Sequence, residues 1–160
     1  FYDKPVHLAP QSMTREDAGR VDWEGAEVTP LDEDKVRTAA AELFAAGATT
    51  IAVCYLFSSA HHAHANRTRE VILEESPDAH VSLSSEVLPR IREWPRLSTT
   101  LLNAYLGPVL VDYIGDLNKG LDKGGVETQQ RFLMQSNGGV MPFTAAVQGG
   151  KTVYLSLIHN

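Results

Sequence analysis

From Thr49 to Phe57 the chain reads Thr-Thr-Ile-Ala-Val-Cys-Tyr-Leu-Phe, an uncharged run of β-branched, aliphatic and aromatic residues with no polar alternation. A strand with one wet face would alternate, so this run is expected to be a central strand covered on both faces. The covering elements are legible on either side. Upstream, Pro30-Leu31-Asp32 opens a helix in which Asp32 is placed to cap, Val36, Ala39, Ala40 and Leu43 recur at helical spacing, and Gly47 is placed to end it in the left-handed conformation. Downstream, His62 to Glu75 predicts a second helix with Thr68, Val71 and Ile72 inward, Pro77-Asp78 stops it, and Val81 to Leu83 reads as another strand. The fold class expected is α/β: segments 49–57 and 79–83 as adjacent parallel strands, with helices 33–46 and 62–75 packed on a mostly parallel sheet.

The flanking regions are read more coarsely. Residues 1–20 are polar and irregular, and Asp22-Trp23-Glu24-Gly25 is a turn between two short strands, with Gly25 tolerating a positive φ. Beyond Arg96 the pattern turns helical. Ser98 or Thr99 is placed to cap a helix carrying Leu101, Leu102 and Tyr105, Pro108 kinks or restarts it, and Val109, Tyr113, Leu117 and Leu121 continue the stripe. The glycines between Lys119 and Gly125 predict a loop, Arg131 to Gln135 a strand, and Phe143 to Val147 a short helix, with a subdomain boundary near 122–128.

Composition narrows the class of function. With 160 residues, 43% hydrophobic and 21% charged, the chain can bury one substantial core or two small ones. A net charge of −6 and scattered basic residues do not make the clustered basic face that nucleic acid requires. The run Ile51 to Phe57 is far too short to cross a bilayer and no basic-then-apolar leader opens the chain, so neither a nucleic-acid nor a membrane partner is expected and the location defaults to the cytoplasm. Cys54 has no second cysteine to pair with and, inside the apolar run, reads as an inert packed residue.

Three constellations carry chemistry. In Gln135-Ser136-Asn137-Gly138-Gly139 two glycines let the backbone approach a ligand while the amide and hydroxyl orient a carbonyl or phosphate oxygen; the alternative is an Asn-Gly turn that caps its own backbone. Arg90, Arg92 and Arg96 precede Ser98-Thr99-Thr100, pairing guanidinium forks with hydroxyls at a helix start, which suits a carboxylate or phosphate; the alternative is a solvated linker before a capped helix. His61, His62, His64 and His80 with Cys54 invite a metal reading, but paired ligand spacings are lacking and a polar helix start is the expectation, with no metal site. Neither a G-x-S-x-G elbow nor a Walker loop is present.

Several of these segments, Glu86-Val87-Leu88-Pro89, Arg92-Glu93, Ser98-Thr99-Thr100, Asn103-Ala104-Tyr105 and Gln135-Ser136-Asn137-Gly138-Gly139, resemble in order the ATP-dependent hydantoinase A/5-oxoprolinase family, which also includes subunits of acetone-type carboxylases. The resemblance runs with gaps from about Val21 to Gln148. It departs where Glu93-Trp94-Pro95-Arg96 replaces the family's Glu-Tyr-Glu-Arg, and where Leu155-Ser156 is followed by Leu157-Ile158 instead of Gly-Pro-Ala. What it implies is a fragment of a longer, actin/sugar-kinase-like ATPase, with 1–122 closing an N-terminal domain and 123–160 beginning the main domain. It implies ATP and Mg²⁺ as cofactors of the longer protein, a small cyclic amide as substrate and a hydantoinase B-type second subunit or domain as partner; the alternatives are the nucleotide-using subunit of an acetone-type carboxylase and a non-catalytic α/β interaction module. The family's phosphate-cradling Asp-x-Gly-Gly-Thr turns are not in this chain, so the fragment itself is expected to be inactive. The resemblance also implies site residues: Arg96, Ser136 and Asn137 catalytic, and Ser98, Thr99, Asn103, Gly138 and Gly139 against substrate.

Overall fold

The structure, a computed structural model, describes residues 7–128, 130–134 and 138–148. Compactness divides the chain into two units, 1–104 and 105–160. The division falls within a helix, well before the glycine-rich 122–128 segment where composition alone places a boundary.

In the first unit the short strands β1 (Arg20–Val21) and β2 (Glu27–Thr29) pair antiparallel around the expected turn. There Asp22 Oδ1 accepts the N–H groups of Glu24 and Ala26 at 2.9 and 2.8 Å, and Gly25 takes a φ of 92°. Helix α1 (Glu33–Ala45) starts on Asp32, whose carboxylate accepts the Lys35 N–H at 3.0 Å. It ends on Gly47 at φ 96°, where the N–H groups of Gly47 and Ala48 bond the carbonyls of Phe44 and Leu43 and so satisfy the last turn.

Strands β3 (Thr50–Val53) and β4 (His80–Leu83) are parallel, in register Thr50 to His80 through Val53 to Leu83, and α2 (Ala63–Glu75) connects them. Ile51, Val53 and Leu83 share one buried cluster with Val36 and Ala40 of α1 and Ala65, Val71 and Ile72 of α2. The expected strand pair and its two helices are therefore the core of this unit. β3 is shorter than the apolar run that announces it: the chain leaves the sheet after Val53, with Cys54 half-buried, and turns so tightly that Phe57 has a φ of 58°.

After β4 come a four-residue helix, α3 (Ser84–Val87), and the long α4 (Glu93–Lys123), which is unbroken at Pro108. This corrects three expectations. Ser98 and Thr99 do not cap a helix start, because the helix begins five residues earlier and Pro95 sits in its first turn, where a missing N–H costs nothing. Pro108 does not restart the helix, since buried residues on both sides, Thr100, Asn103 and Ala104 before and Ile114 after, hold the backbone helical against a local penalty of about 3 kcal/mol. Lys119 to Lys123 is helix, and the chain breaks only at Gly124-Gly125, with Gly125 at φ 79°.

The second unit packs that helix against strands β5 (Phe132–Met134) and β6 (Val140–Pro142), an antiparallel pair, and against α5 (Phe143–Gln148). Its core is Ile114, Met141, Phe143 and Ala146, with Leu110, Leu117, Leu121 and Leu133 against them. Among the described residues the sheets are three two-stranded pairs, of which β3–β4 is the parallel one. Short connections allow only antiparallel pairing elsewhere.

Candidate functional site

In open α/β sheets the place to look is beyond the carboxyl ends of parallel strands. There the chain leaves β3 through the Tyr55–Ser58 turn and leaves β4 directly into Ser84 and Ser85, and the start of α4 supplies Arg96, Thr100 and Asn103. Ser58, Ser84, Ser85, Arg96, Thr100 and Asn103 are buried, while Tyr55 and Phe57 are half-buried and Leu56 is exposed. The Ser58 hydroxyl donates to the Tyr55 carbonyl at 2.8 Å and lies 3.2 Å from the Ser84 hydroxyl, and Asn103 Nδ2 donates to Ser82 Oγ at 2.9 Å. Asn103 therefore meets the strand face opposite Leu83, which is how α4 helps cover the second face of the pair.

Arg96 is the centre of this cluster and is 0% exposed. Its Nη2 donates to the Tyr55 carbonyl at 2.6 Å and Nη1 reaches the Arg90 carbonyl at 3.5 Å, while the nearest carboxylate, Glu93, stands 3.9 Å away. A buried guanidinium is costly unless its donors are met, and here backbone carbonyls do most of that work. Both carbonyls sit two residues before a strained position: Phe57 at φ 58° and Arg92 at φ 77° are the non-glycine residues of positive φ among the described residues. Such conformations cost on the order of 1–3 kcal/mol each and persist where surrounding contacts over-determine them. Arg96 Nε, Asn103 Oδ1 and Ser85 Oγ are among the buried polar atoms without a protein partner.

The residues singled out from sequence are thus separated. Arg96 lies beyond the end of β3, bonded to the Tyr55 carbonyl, and Asn103 lies against β4 at Ser82; both are buried. Ser98 and Thr99 are half-buried and turn their hydroxyls back to the carbonyls of Trp94 and Pro95, both at 2.9 Å, as Thr100 does to Arg96 at 2.7 Å. Gln135, Ser136 and Asn137 lie outside the described residues. Gly138, next to them, is exposed at φ 85°, with open space where a side chain would be. Sequence reasoning missed Ser58, Ser84 and Ser85; the hydroxyl run beginning at Ser82, right at a strand end, was the available signal.

The histidines bind protein, each in its own place. His61 Nε2 meets the Trp23 carbonyl at 3.3 Å, His62 Nδ1 the Ser58 carbonyl at 2.8 Å and His64 Nε2 the Glu27 carboxylate at 2.7 Å. His80, at the start of β4, is held below the usual imidazole range by burial and then by the nearby Arg69 charge. Burial also raises the Tyr55 phenol, whose hydroxyl lies 2.9 Å from that of Thr68. No group of three or more His, Cys, Asp or Glu side chains among the described residues is arranged to hold a metal ion.

Residues 2–76 match the family described as hydantoinase/oxoprolinase N-terminal region, and residues 96–156 match hydantoinase/oxoprolinase. The chain belongs to the hydantoinase/oxoprolinase family. It is 34% identical over 139 residues to the caprolactamase subunit alpha of Pseudomonas jessenii, covering 86% of this chain and 20% of that one. It is 38% identical over 120 residues to the 5-oxoprolinase of Saccharomyces cerevisiae, covering 75% of this chain and 9% of that one. Its fold matches the nucleotide-free structure of acetone carboxylase with a TM-score of 0.80 and 28% identity, over 96% of this chain and 22% of the other. The chain spans about a fifth or less of the length of these relatives.

Proposed function

We propose that the longer protein carrying this chain is an ATP-dependent enzyme that opens a small cyclic amide of the hydantoin or 5-oxoproline kind. The observation that supports it is the ordered pair of family matches together with relatives named as a caprolactamase subunit and a 5-oxoprolinase. Resonance makes a cyclic amide carbonyl a poor electrophile. Transfer of the terminal phosphoryl group of ATP to the carbonyl oxygen, with ADP leaving, opens the carbon to water. The ring nitrogen then departs carrying a proton, and a second water displaces phosphate, leaving ADP, phosphate and the open amino acid.

In this scheme Ser136 and Asn137 orient the reacting carbonyl or the phosphate, and Gly138 and Gly139 let the backbone come close; the positive φ and open surroundings of Gly138 support that placing. Ser98, Thr99 and Asn103 belong to the wall behind the site. Arg96, being buried, is given a positioning role through the Tyr55 carbonyl rather than contact with the reacting oxygen. The phosphate turns and the Mg²⁺ that accompanies ATP fall to residues outside this chain. A hydantoinase B-type subunit completes the enzyme, which works in the cytoplasm.

A second reading, the nucleotide-using subunit of an acetone-type carboxylase, is favoured by the acetone carboxylase match over nearly the whole chain. There the phosphorylated species is an enolate or bicarbonate. ADP release by the purified full-length protein with its partner subunit separates the two. The proposal expects release that depends on a lactam or hydantoin; release that depends on a ketone plus bicarbonate, or on neither, overturns it.

A further inference from the structure

The loop that joins α3 to α4 carries charge that nothing in the chain answers. Arg90 and Arg92 are exposed, and neither guanidinium has a hydrogen bond or ion pair among the described residues. Apart from Arg20, the other arginines are taken: Arg15, Arg37, Arg67, Arg69 and Arg131 bond carboxylates, and Arg96 bonds carbonyls. The carboxylates nearest to the loop in sequence are taken as well. Glu86 is held by Arg69, and Glu93 stands 3.9 Å from Arg96.

The backbone is committed to this display. The Arg90 N–H closes a tight turn on the Leu88 carbonyl at 2.7 Å, Arg96 Nη1 reaches the Arg90 carbonyl at 3.5 Å, and Arg92 is held at φ 77°, where a residue with a side chain is strained. The loop also leaves the carboxyl end of β4 through α3, on the side of a parallel pair where α/β sheets take their ligands. We infer that Arg90 and Arg92 are a recognition site for an oxyanion, a carboxylate or a phosphoryl group, with Arg96 as the positioning residue behind them. A guanidinium fork meets either group with two parallel bonds. The inference rests on the proposed lactam-opening reaction, which brings both to the enzyme: the phosphoryl group of ATP, and the carboxylate that a substrate of the 5-oxoproline kind carries on its ring.

Calorimetric titration of the full-length protein with its partner subunit tests this, using 5-oxoproline, Mg-ATP and 2-pyrrolidinone, the same ring without the carboxylate. Arg90→Gln and Arg92→Gln remove the forks, Arg92→Lys keeps a charge without its fork, and ADP release is followed in the same samples. The inference expects Arg92→Gln to weaken binding of 5-oxoproline or of Mg-ATP about 100-fold, the size of a lost bidentate charge-assisted pair. Arg90→Gln weakens the same ligand, Arg92→Lys recovers only part of the loss, and 2-pyrrolidinone changes by less than about 3-fold. Loss confined to 5-oxoproline names the substrate carboxylate as the ligand; loss confined to Mg-ATP names the phosphoryl group. Unchanged affinity for both anions, or binding of neither by the unaltered protein, overturns the inference. An equal loss for 5-oxoproline and 2-pyrrolidinone also overturns it, by showing a loop that only shapes the site, and so does a lowered Tm with every affinity intact, which assigns the arginines to ion pairs with the rest of the polypeptide. Should Arg92→Gln fail to fold, Arg90→Gln and Arg92→Lys give the reading. ADP release that depends on no lactam, alongside the expected loss of anion binding, overturns the proposed reaction and leaves the oxyanion site standing.

Discussion

Arg96 separates two kinds of importance that a motif does not distinguish. Its guanidinium is enclosed and bonds the carbonyl on which the Tyr55–Ser58 turn is built, so its removal leaves a cavity and frees a strained loop. Arg96→Ala is expected to lower unfolding free energy by about 3 kcal/mol, the range for losing a charge-assisted buried bond, as read by denaturant unfolding of the chain. A change below about 0.5 kcal/mol would mean the cluster is not holding the turn. Asn137 is expected to behave the other way. In the full-length enzyme Asn137→Ala should lower kcat by roughly 10²–10³-fold with little change in Tm, the size seen when one preorganised donor is lost. A destabilised but fully active variant would make it a turn-capping residue.

At the scale of elements, α1 and α2 are fastened by charge as well as by their apolar faces. Arg67 grips both Glu33 oxygens at 2.7 Å and reaches Glu70 and Glu74, while Arg37 bonds Glu74 at 2.7 Å. These hydrogen bonds, Arg67 to Glu33 and Arg37 to Glu74 first, hold both carboxyls below the usual glutamate value of 4.5. A lowered folded pKa means stability that is present above pH 4.5 and is lost as pH falls through the folded values. Thermal melts should therefore show Tm dropping below pH 4.5, and the drop should shrink in Arg67→Met and in high salt, because the network is exposed and screened. An unchanged acid limb in Arg67→Met would place the titrating groups elsewhere.

The same scale shows what could be read from sequence and what could not. The segment from Asp32 to Leu83 was legible because a capping aspartate, a C-terminal glycine and an unbroken β-branched run each act locally, and burial agrees with them. The long helix was not. Ser98, Thr99 and Pro108 look like starts and stops, yet their local costs are small beside the burial that α4 gains on both sides of them. Arg96 was visible as chemistry but not as a core residue, since nothing in composition says that an arginine is enclosed by carbonyls. If tertiary burial alone carries the helix through Pro108, Pro108→Ala restores the N–H facing the Ala104 carbonyl and should raise stability by about 1–3 kcal/mol in denaturant unfolding. A loss of stability would show that the proline ring is itself needed in the packing.

At the scale of the whole molecule, this chain matches about a fifth of a longer acetone carboxylase chain in fold, and its sequence contains no Asp-x-Gly-Gly-Thr turn. The proposed chemistry rests on one claim, that the amide oxygen is itself phosphorylated by ATP and then leaves carbon as phosphate. Isotope tracing addresses this directly: a lactam labelled with ¹⁸O at its carbonyl is turned over by the full-length enzyme and its partner, and the phosphate and amino acid products are analysed by mass spectrometry. If the oxygen becomes the leaving group, the label appears in inorganic phosphate. Label retained wholly in the amino acid carboxylate would contradict the account.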